Sequence, residues 1–368
     1  MTEYLYWFLL MLFSYLVVLF CYMHFSYKKE VLNNLLGFSA LFLTFSVTII
    51  VVMLMFQDAT LYSSTIPIFS LSFGLPLLII GAIVLISSVL LFLFKKIFKN
   101  KDLSKFWKML EEKSNKRSKL RGDTYRKIPH VLIFIGMLFI WYSGVIIVKD
   151  LLGSISGMIP DENNMFLLFL TLLTEPDSIS TVLFSLGWFY YLLFFFFYGF
   201  CFIMLANEFT RKAKSLGFPF NFLCRVLLCE EEKRGYGTYL FFAIGQMVAA
   251  LITPPMVFLT ILGMSSLADL ATSQVGIRYG KNKIKWNNDK SWQGSIAGII
   301  VCFIICILFI GVYWALIFTF AFFLFDVLTN KPLNISDNLL IPFGSSLIFL
   351  FIRFFFNFDY YTIILTWF

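Results

Sequence analysis

Long runs of apolar residues dominate the chain, and they recur at lengths that fit a bilayer. A helix needs about 20 predominantly apolar residues to cross a hydrocarbon core. Such runs occur at 4–25, 36–56, 66–94, 131–149, 178–206, 236–252, 255–275, 295–312, 313–329 and 339–354. They are continuous, whereas a membrane β-barrel would alternate apolar and polar residues at period two. The pattern predicts an all-α, polytopic transmembrane helical bundle of about ten spans. Residues 163–174 are apolar but short, so a re-entrant or interfacial piece is expected there. The aromatic-rich stretch 355–368 is expected at an interface. Pro254-Pro255 separates two of the runs and predicts a hairpin turn. The first run is followed, not preceded, by Lys28 and Lys29, which favours a span over a cleaved signal peptide.

Composition excludes a water-soluble fold. Only 14% of the residues are charged, against roughly 25% in a typical soluble domain. The six cysteines lie mostly inside apolar runs and read as small hydrophobes. With two histidines and no metal-site spacing among the cysteines, a zinc site is not expected.

The net charge of +8 matters less than where the charges lie. Residues 95–130 hold thirteen of the 29 Lys and Arg residues against four acids. Two further basic loops run from Arg211 to Arg234 and from Arg278 to Lys290. Pairs of spans separate the three loops, so all three fall on one side, expected to be cytoplasmic. The loop with Asp161, Glu162, Glu175 and Asp177 falls on the other. The expected division is a three-span region at 1–94, a basic linker or surface helix at 95–130, and a functional membrane domain at 131–368. The polyanions expected at such loops are anionic lipids, not nucleic acid. Oligomeric state is not legible from the sequence.

One position breaks the apolar pattern. From Tyr236 to Val275 the only charged side chain is Asp269. An acid near the middle of a membrane helix costs about 2.5–3.5 kcal/mol on insertion scales and is by default functional. Its bland alternative is a hydrogen bond to Ser or Thr on a neighbouring helix. Arg278 follows nine residues later, about 13 Å along a helix, and opens a Lys-rich loop. A carboxylate, several lysines and flexible glycines suit Mg²⁺ carrying a nucleotide polyphosphate. Gly276 and Gly280 would let backbone approach such a ligand, or would form a small-xxx-small helix contact. GIRYGKN is not a P-loop, having three residues between its glycines and Asn282 where Ser or Thr is required.

LADLATSQVGIRYGKNKI (267–284) followed by KSWQGSIAG (290–298) resembles the signature of the membrane CTP-dependent lipid kinases. That family includes dolichol kinase, phytol kinase and a CTP-using diacylglycerol kinase, within the phosphatidate cytidylyltransferase superfamily. RKIPH (126–130), RGYGTYLFFAIG (234–245) and SDNLLIP (336–342) resemble further family segments in the same order, and NEFTR (207–211) does so more weakly. The likeness covers roughly residues 126–354. Ala268, Gln293, Ser336 and Asp326 stand where the family usually has Gly, Glu, Asp and Glu. The Pro-Gly-His-Gly-Gly segment and the paired Asp-Arg…Asp of the cytidylyltransferases are missing.

The resemblance implies transfer of the γ-phosphate of CTP to the hydroxyl of a polyprenol such as dolichol, with Mg²⁺. The alternatives are a diacylglycerol kinase, a CTP:phosphatidate-type cytidylyltransferase, or a non-enzymatic transporter or scaffold. It assigns Mg²⁺ to Asp269 and Asp337, with Asn338 assisting; Asp337 could equally cap the helix after it. Arg278, Lys281, Lys283 and Lys290 would contact phosphates, or would be solvated loop residues. Ser291 and Gly294 would form a tight turn near the nucleotide. Arg126, Lys127 and His130 would open a span, with His130 as proton acceptor or phosphate contact, or else a histidine at the membrane interface. Glu208 and Arg211 would pair locally.

Overall fold

A computed structural model of the chain describes residues 118–152, 236–329 and 333–360, together with isolated positions elsewhere. The expected spans 4–25 and 36–56, the run 163–174, the acidic loop, the loop 211–234 apart from Leu228, and the Glu208–Arg211 pair lie outside the described residues. So do 66–94 and 178–206 apart from single positions.

Helix α1 runs from Lys119 to Leu152. Ser118 starts it by accepting a 3.4 Å hydrogen bond from the Arg121 amide, as an N-cap should. The helix therefore begins well before the apolar run at 131. Arg126, Lys127 and His130 sit inside it rather than at its mouth, and it carries Pro129 in its interior. Hydropathy locates only the part of a helix that meets lipid; the polar turns before it continue the same hydrogen-bond ladder. One face of α1 is buried at Lys127, His130, Phe134, Met137, Trp141 and Val145, the three- and four-residue spacing of a helical stripe.

Helix α2, Thr238–Ile252, ends in Thr253, whose hydroxyl donates to the Ala249 carbonyl at 2.6 Å. The chain turns at Pro254, and Pro255 opens α3, Pro255–Gly263. Proline suits a first helical position, where its missing amide is not needed. The ladder continues through a π turn, Met264–Ala268, into α4, Asp269–Tyr279. Together these form one unbroken helix, 78% of whose apolar window is buried. It is the axis of the described bundle.

A short antiparallel hairpin follows, β1 Lys283–Ile284 and β2 Asn287–Ser291. Ser291 then caps α5, Trp292–Ile310, accepting from the Gly294 amide at 3.3 Å. Gly311 alone joins α5 to α6, Val312–Leu328, with a φ of 84°. That is the left-handed region, where a side chain would be strained. Helix α7 spans Asp337–Phe356. Among the described residues, four helices are long and apolar enough to cross a membrane: Lys119–Ile147, Pro255–Tyr279, Trp292–Ile310 and Asp337–Phe356. The described part is thus a helical bundle of the kind expected of a membrane protein. Helices α2 and α6 are apolar but shorter.

Glycine brings α4 and α5 into close contact. A methyl group at Gly294 would lie 2.5 Å from the Thr272 carbonyl oxygen and 2.9 Å from Gly276 Cα. One at Gly298 would overlap the Thr272 hydroxyl, and one at Gly280 would collide with the Gly276 carbonyl. Gly276 therefore forms part of a small-residue helix contact, as one of its two expected roles required.

Replacing Gly294 with Ala should force backbone against backbone and cost about 1–3 kcal/mol. Gly122, in α1, has nothing within 4 Å of an added methyl, so Gly122→Ala should be neutral or stabilising by up to ~1 kcal/mol. Thermal unfolding of the two variants in detergent should show a lowered Tm for the first only.

Candidate functional site

The polar groups of the bundle gather where α1, α4, the hairpin, and the facing ends of α6 and α7 meet. Asp269 is 2% exposed and pairs with Lys127. The Lys127 ammonium lies 2.5 Å from Asp269 Oδ2 and donates to the Asp269 carbonyl oxygen at 3.0 Å. Lys127 reaches it because it belongs to the buried stripe of α1. Next to Lys127 on that stripe, His130 stacks on Phe242 of α2, with ring centroids 3.9 Å apart. Its Nδ1 is buried and has no hydrogen-bond partner.

A second ion pair lies at the root of the hairpin. Lys290 Nζ donates to Asp326 Oδ1 at 2.6 Å and to Asp337 Oδ2 at 3.4 Å. The other Asp326 oxygen accepts from the Ser295 hydroxyl at 2.7 Å. Asp326 is fully buried in the last turn of α6. One lysine therefore ties the end of β2 to α6 and α7. Asn287 reinforces the tie, donating to the carbonyls of Val327 at 3.1 Å and Thr329 at 2.7 Å. Those are carbonyls that a helix C-terminus leaves unpaired.

The two pairs form one electrostatic cluster. Asp337 acts on Asp269, Lys290 and His130, while Lys127 and Arg126 act on Asp337. Burial works against the Lys290 ammonium, but Asp326, Asp337 and Asp269 outweigh it and hold its pKa above the usual lysine range.

The structure thus brings together Asp269, Asp337, Lys127, His130 and Lys290 from four segments far apart in sequence. Arg126 stands at the edge, half-buried and 3.2 Å from Asp123. Asn338 is buried, and its amide donates to Asp337 Oδ1 at 2.9 Å. Ser336, not Asp337, occupies the N-cap position of α7, and its side chain makes no cap bond. Asp337 instead lies in the first turn, where a negative charge favours the helix dipole. Arg278, Lys281 and Lys283 are exposed around the hairpin and do not join the buried pairs. Gly276, Gly280, Ser291 and Gly294 shape the junction of α4, hairpin and α5; a Cβ at Gly280 would meet Ser291 Oγ at 2.5 Å.

Sequence reasoning gave no role to Asp326 or Ser295. For Asp326 the signal was present, since it is the one charged residue between Lys290 and Lys331. Ser295 carried no such mark.

A hard divalent cation such as Mg²⁺ takes oxygen ligands and, beside a nucleotide, uses one or two carboxylates plus phosphate oxygens. Asp269 Oδ1 is buried without a partner, and Asp337 is 22% exposed at its side chain. These two acids fit that mode. Among the described residues no group of three or more acids, histidines or cysteines is arranged to hold a metal by itself, so phosphate oxygens would have to complete the shell. No protein-family profile, curated protein or solved structure matches the chain.

Lys290→Met should leave the buried Asp326 carboxylate unpaired and cost about 3–5 kcal/mol. Adding Asp326→Asn should restore part of that loss, which chemical unfolding of the single and double variants will measure. The raised pKa of Lys290 sets the pH dependence of this tie. Its stabilisation is complete below the ordinary lysine value of about 10.4 and is lost only as pH rises through the higher folded-state value. The stability that the Lys290 ammonium gives wild type should therefore be lost only above about pH 10, which unfolding free energies measured against pH will show.

Proposed function

We propose that this protein is a membrane-embedded phosphotransferase that moves the γ-phosphate of CTP to the hydroxyl of a polyprenol such as dolichol, using Mg²⁺. One observation carries the proposal. Three acids and two lysines from distant segments converge, with a histidine, in one buried cluster beside a basic hairpin. The signature resemblance around Asp269 and Lys290 supplies the choice of CTP and of an isoprenoid alcohol.

Phosphoryl transfer asks the protein mainly for positioning and charge neutralisation. In this reading Asp269 and Asp337 hold Mg²⁺, which when bound neutralises phosphate oxygens. Lys127 and Lys290, paired with those acids in the structure, would be free to contact phosphate oxygens if the acids held a cation. Arg278, Lys281 and Lys283, exposed around the hairpin, draw the polyphosphate in from solvent on the cytoplasmic side. His130 Nδ1 accepts the proton of the attacking hydroxyl. The acceptor's tail stays in the hydrocarbon while its head meets the cluster, so neither substrate leaves its own phase.

The test is incubation of the purified protein with γ-labelled CTP, Mg²⁺ and a polyprenol, followed by lipid analysis. Label in the lipid is expected. Pyrophosphate release with CMP in the lipid would make the protein a cytidylyltransferase instead, and no CTP-dependent change in any lipid would overturn enzymatic readings altogether. Asp337→Asn, which leaves Lys290 its closer partner Asp326, should lower transfer by at least ~100-fold while leaving the melting profile close to wild type.

A further inference from the structure

The proposed chemistry leaves Asp326 without a part, and its surroundings differ from those of Asp337. Its side chain is 1% exposed, against 22% for Asp337. Both of its carboxylate oxygens are engaged. Oδ1 accepts from the Lys290 ammonium at 2.6 Å, and Oδ2 accepts from the Ser295 hydroxyl at 2.7 Å. Its backbone is fixed as well. The Thr329 hydroxyl donates to the Asp326 carbonyl oxygen at 3.0 Å, and Asn287 clasps the carbonyls of Val327 and Thr329 just beyond it. An acid so enclosed is closed to a ligand arriving from solvent.

Asp337 is held more loosely. Its Oδ1 accepts from the Asn338 amide at 2.9 Å, and its Oδ2 meets the same Lys290 ammonium at 3.4 Å. A full-strength bond between an ammonium and a carboxylate is about 2.7–2.9 Å long. The contact with Asp326 is that close, whereas the contact with Asp337 is stretched. The two acids therefore share one cation unequally: Lys290 is seated on Asp326 and only leans towards Asp337.

This inequality matters because lysine is a point charge on a flexible stem. Without Asp326, the ammonium would close on Asp337 and compete with any metal ion for its oxygens.

We propose that Asp326, steadied by Ser295, is a positioning residue that holds Lys290 back from Asp337 and so keeps Asp337 open to a divalent cation. This rests on the phosphotransferase reading, in which Asp337 is a cation ligand, and adds the group that keeps that ligand available. Asp326 touches neither cation nor nucleotide in this role; it acts through Lys290.

The test measures Mn²⁺ binding to the full-length protein in detergent without nucleotide, with the free ion read by electron paramagnetic resonance. Mn²⁺ shares the preference of Mg²⁺ for carboxylate oxygen. The Mn²⁺ lost in Asp337→Asn defines the site. There, Asp326→Asn should weaken binding about tenfold, the worth of the charge-assisted hydrogen bond that the metal ion must now displace. Adding Lys290→Met removes the competitor and should return the affinity to the wild-type value or better, a repair that a merely structural role for Asp326 does not predict. Ser295→Ala leaves every charge in place, so it should fold even if Asp326→Asn does not, and it should weaken Mn²⁺ to a smaller, measurable degree. Wild-type affinity in Asp326→Asn, or in Ser295→Ala where the first does not fold, would overturn the inference. So would a loss in Asp326→Asn that Lys290→Met leaves unrepaired, or a wild type from which Asp337→Asn removes no Mn²⁺. Failure of the phosphotransferase reading looks different: Mn²⁺ follows this order of affinities, but γ-labelled CTP leaves no label in the lipid.

Discussion

Charge in a low-dielectric interior is the constraint that organises this bundle. An unpaired ion buried among apolar side chains would be intolerable, so each acid finds a cation and each cation an acid. Asp269 has Lys127, and Lys290 serves Asp326 and Asp337 together. These pairs contribute little net stability by themselves, because desolvation offsets most of the attraction. They specify partners. An apolar helix packs against many surfaces with similar energy, whereas a helix carrying Lys127 packs where it meets Asp269.

That selectivity determines how the elements lie. The axial helix brings Asp269, α1 brings Lys127 and His130, and the hairpin brings Lys290 to the meeting of α6 and α7. Close packing then holds the frame: Gly294 and Gly298 let α5 lie against Thr272 and Gly276 with backbone nearly touching. On the far side of the same helices, Trp314, Phe318 and Phe349 pack edge-on or tilted against one another. At that end Arg353 pairs with Asp359, whose carbonyl accepts from the Trp314 indole at 2.9 Å. The charged end holds groups that can exchange one partner for another, which a site for a charged ligand needs.

Much of this was legible in the sequence, for physical reasons. Apolar runs gave the helices; 236–252, 255–275, 295–312, 313–329 and 339–354 lie within a few residues of the observed helices at one end or both. Pro254-Pro255 gave the turn, because proline cannot continue a helix. A lone carboxylate marked Asp269. The early start of α1 was not legible, because polar residues before a span look alike whether helical or not. Nor was the pairing: which lysine meets which acid depends on helix rotation, and hydropathy carries no rotation. Lys290 as the partner of two acids, and the bond from the Gln246 amide nitrogen to Ser265, depend on that rotation.

The π turn has a consequence for how the axial helix is phased. A π turn is in effect one residue more than the α-helical ladder accommodates, so it offsets everything after it by about 100° of azimuth relative to an uninterrupted α-helix. Upstream of it, the rotation of the helix is set by close contacts such as that of Gly263 with Ile305 and Phe134. Downstream, it is set by Lys127 and the glycine contact with α5. The extra residue lets one rod satisfy both demands at once. It works like a vernier between two gears, and a strictly regular helix of the same composition would turn its carboxylate away from Lys127.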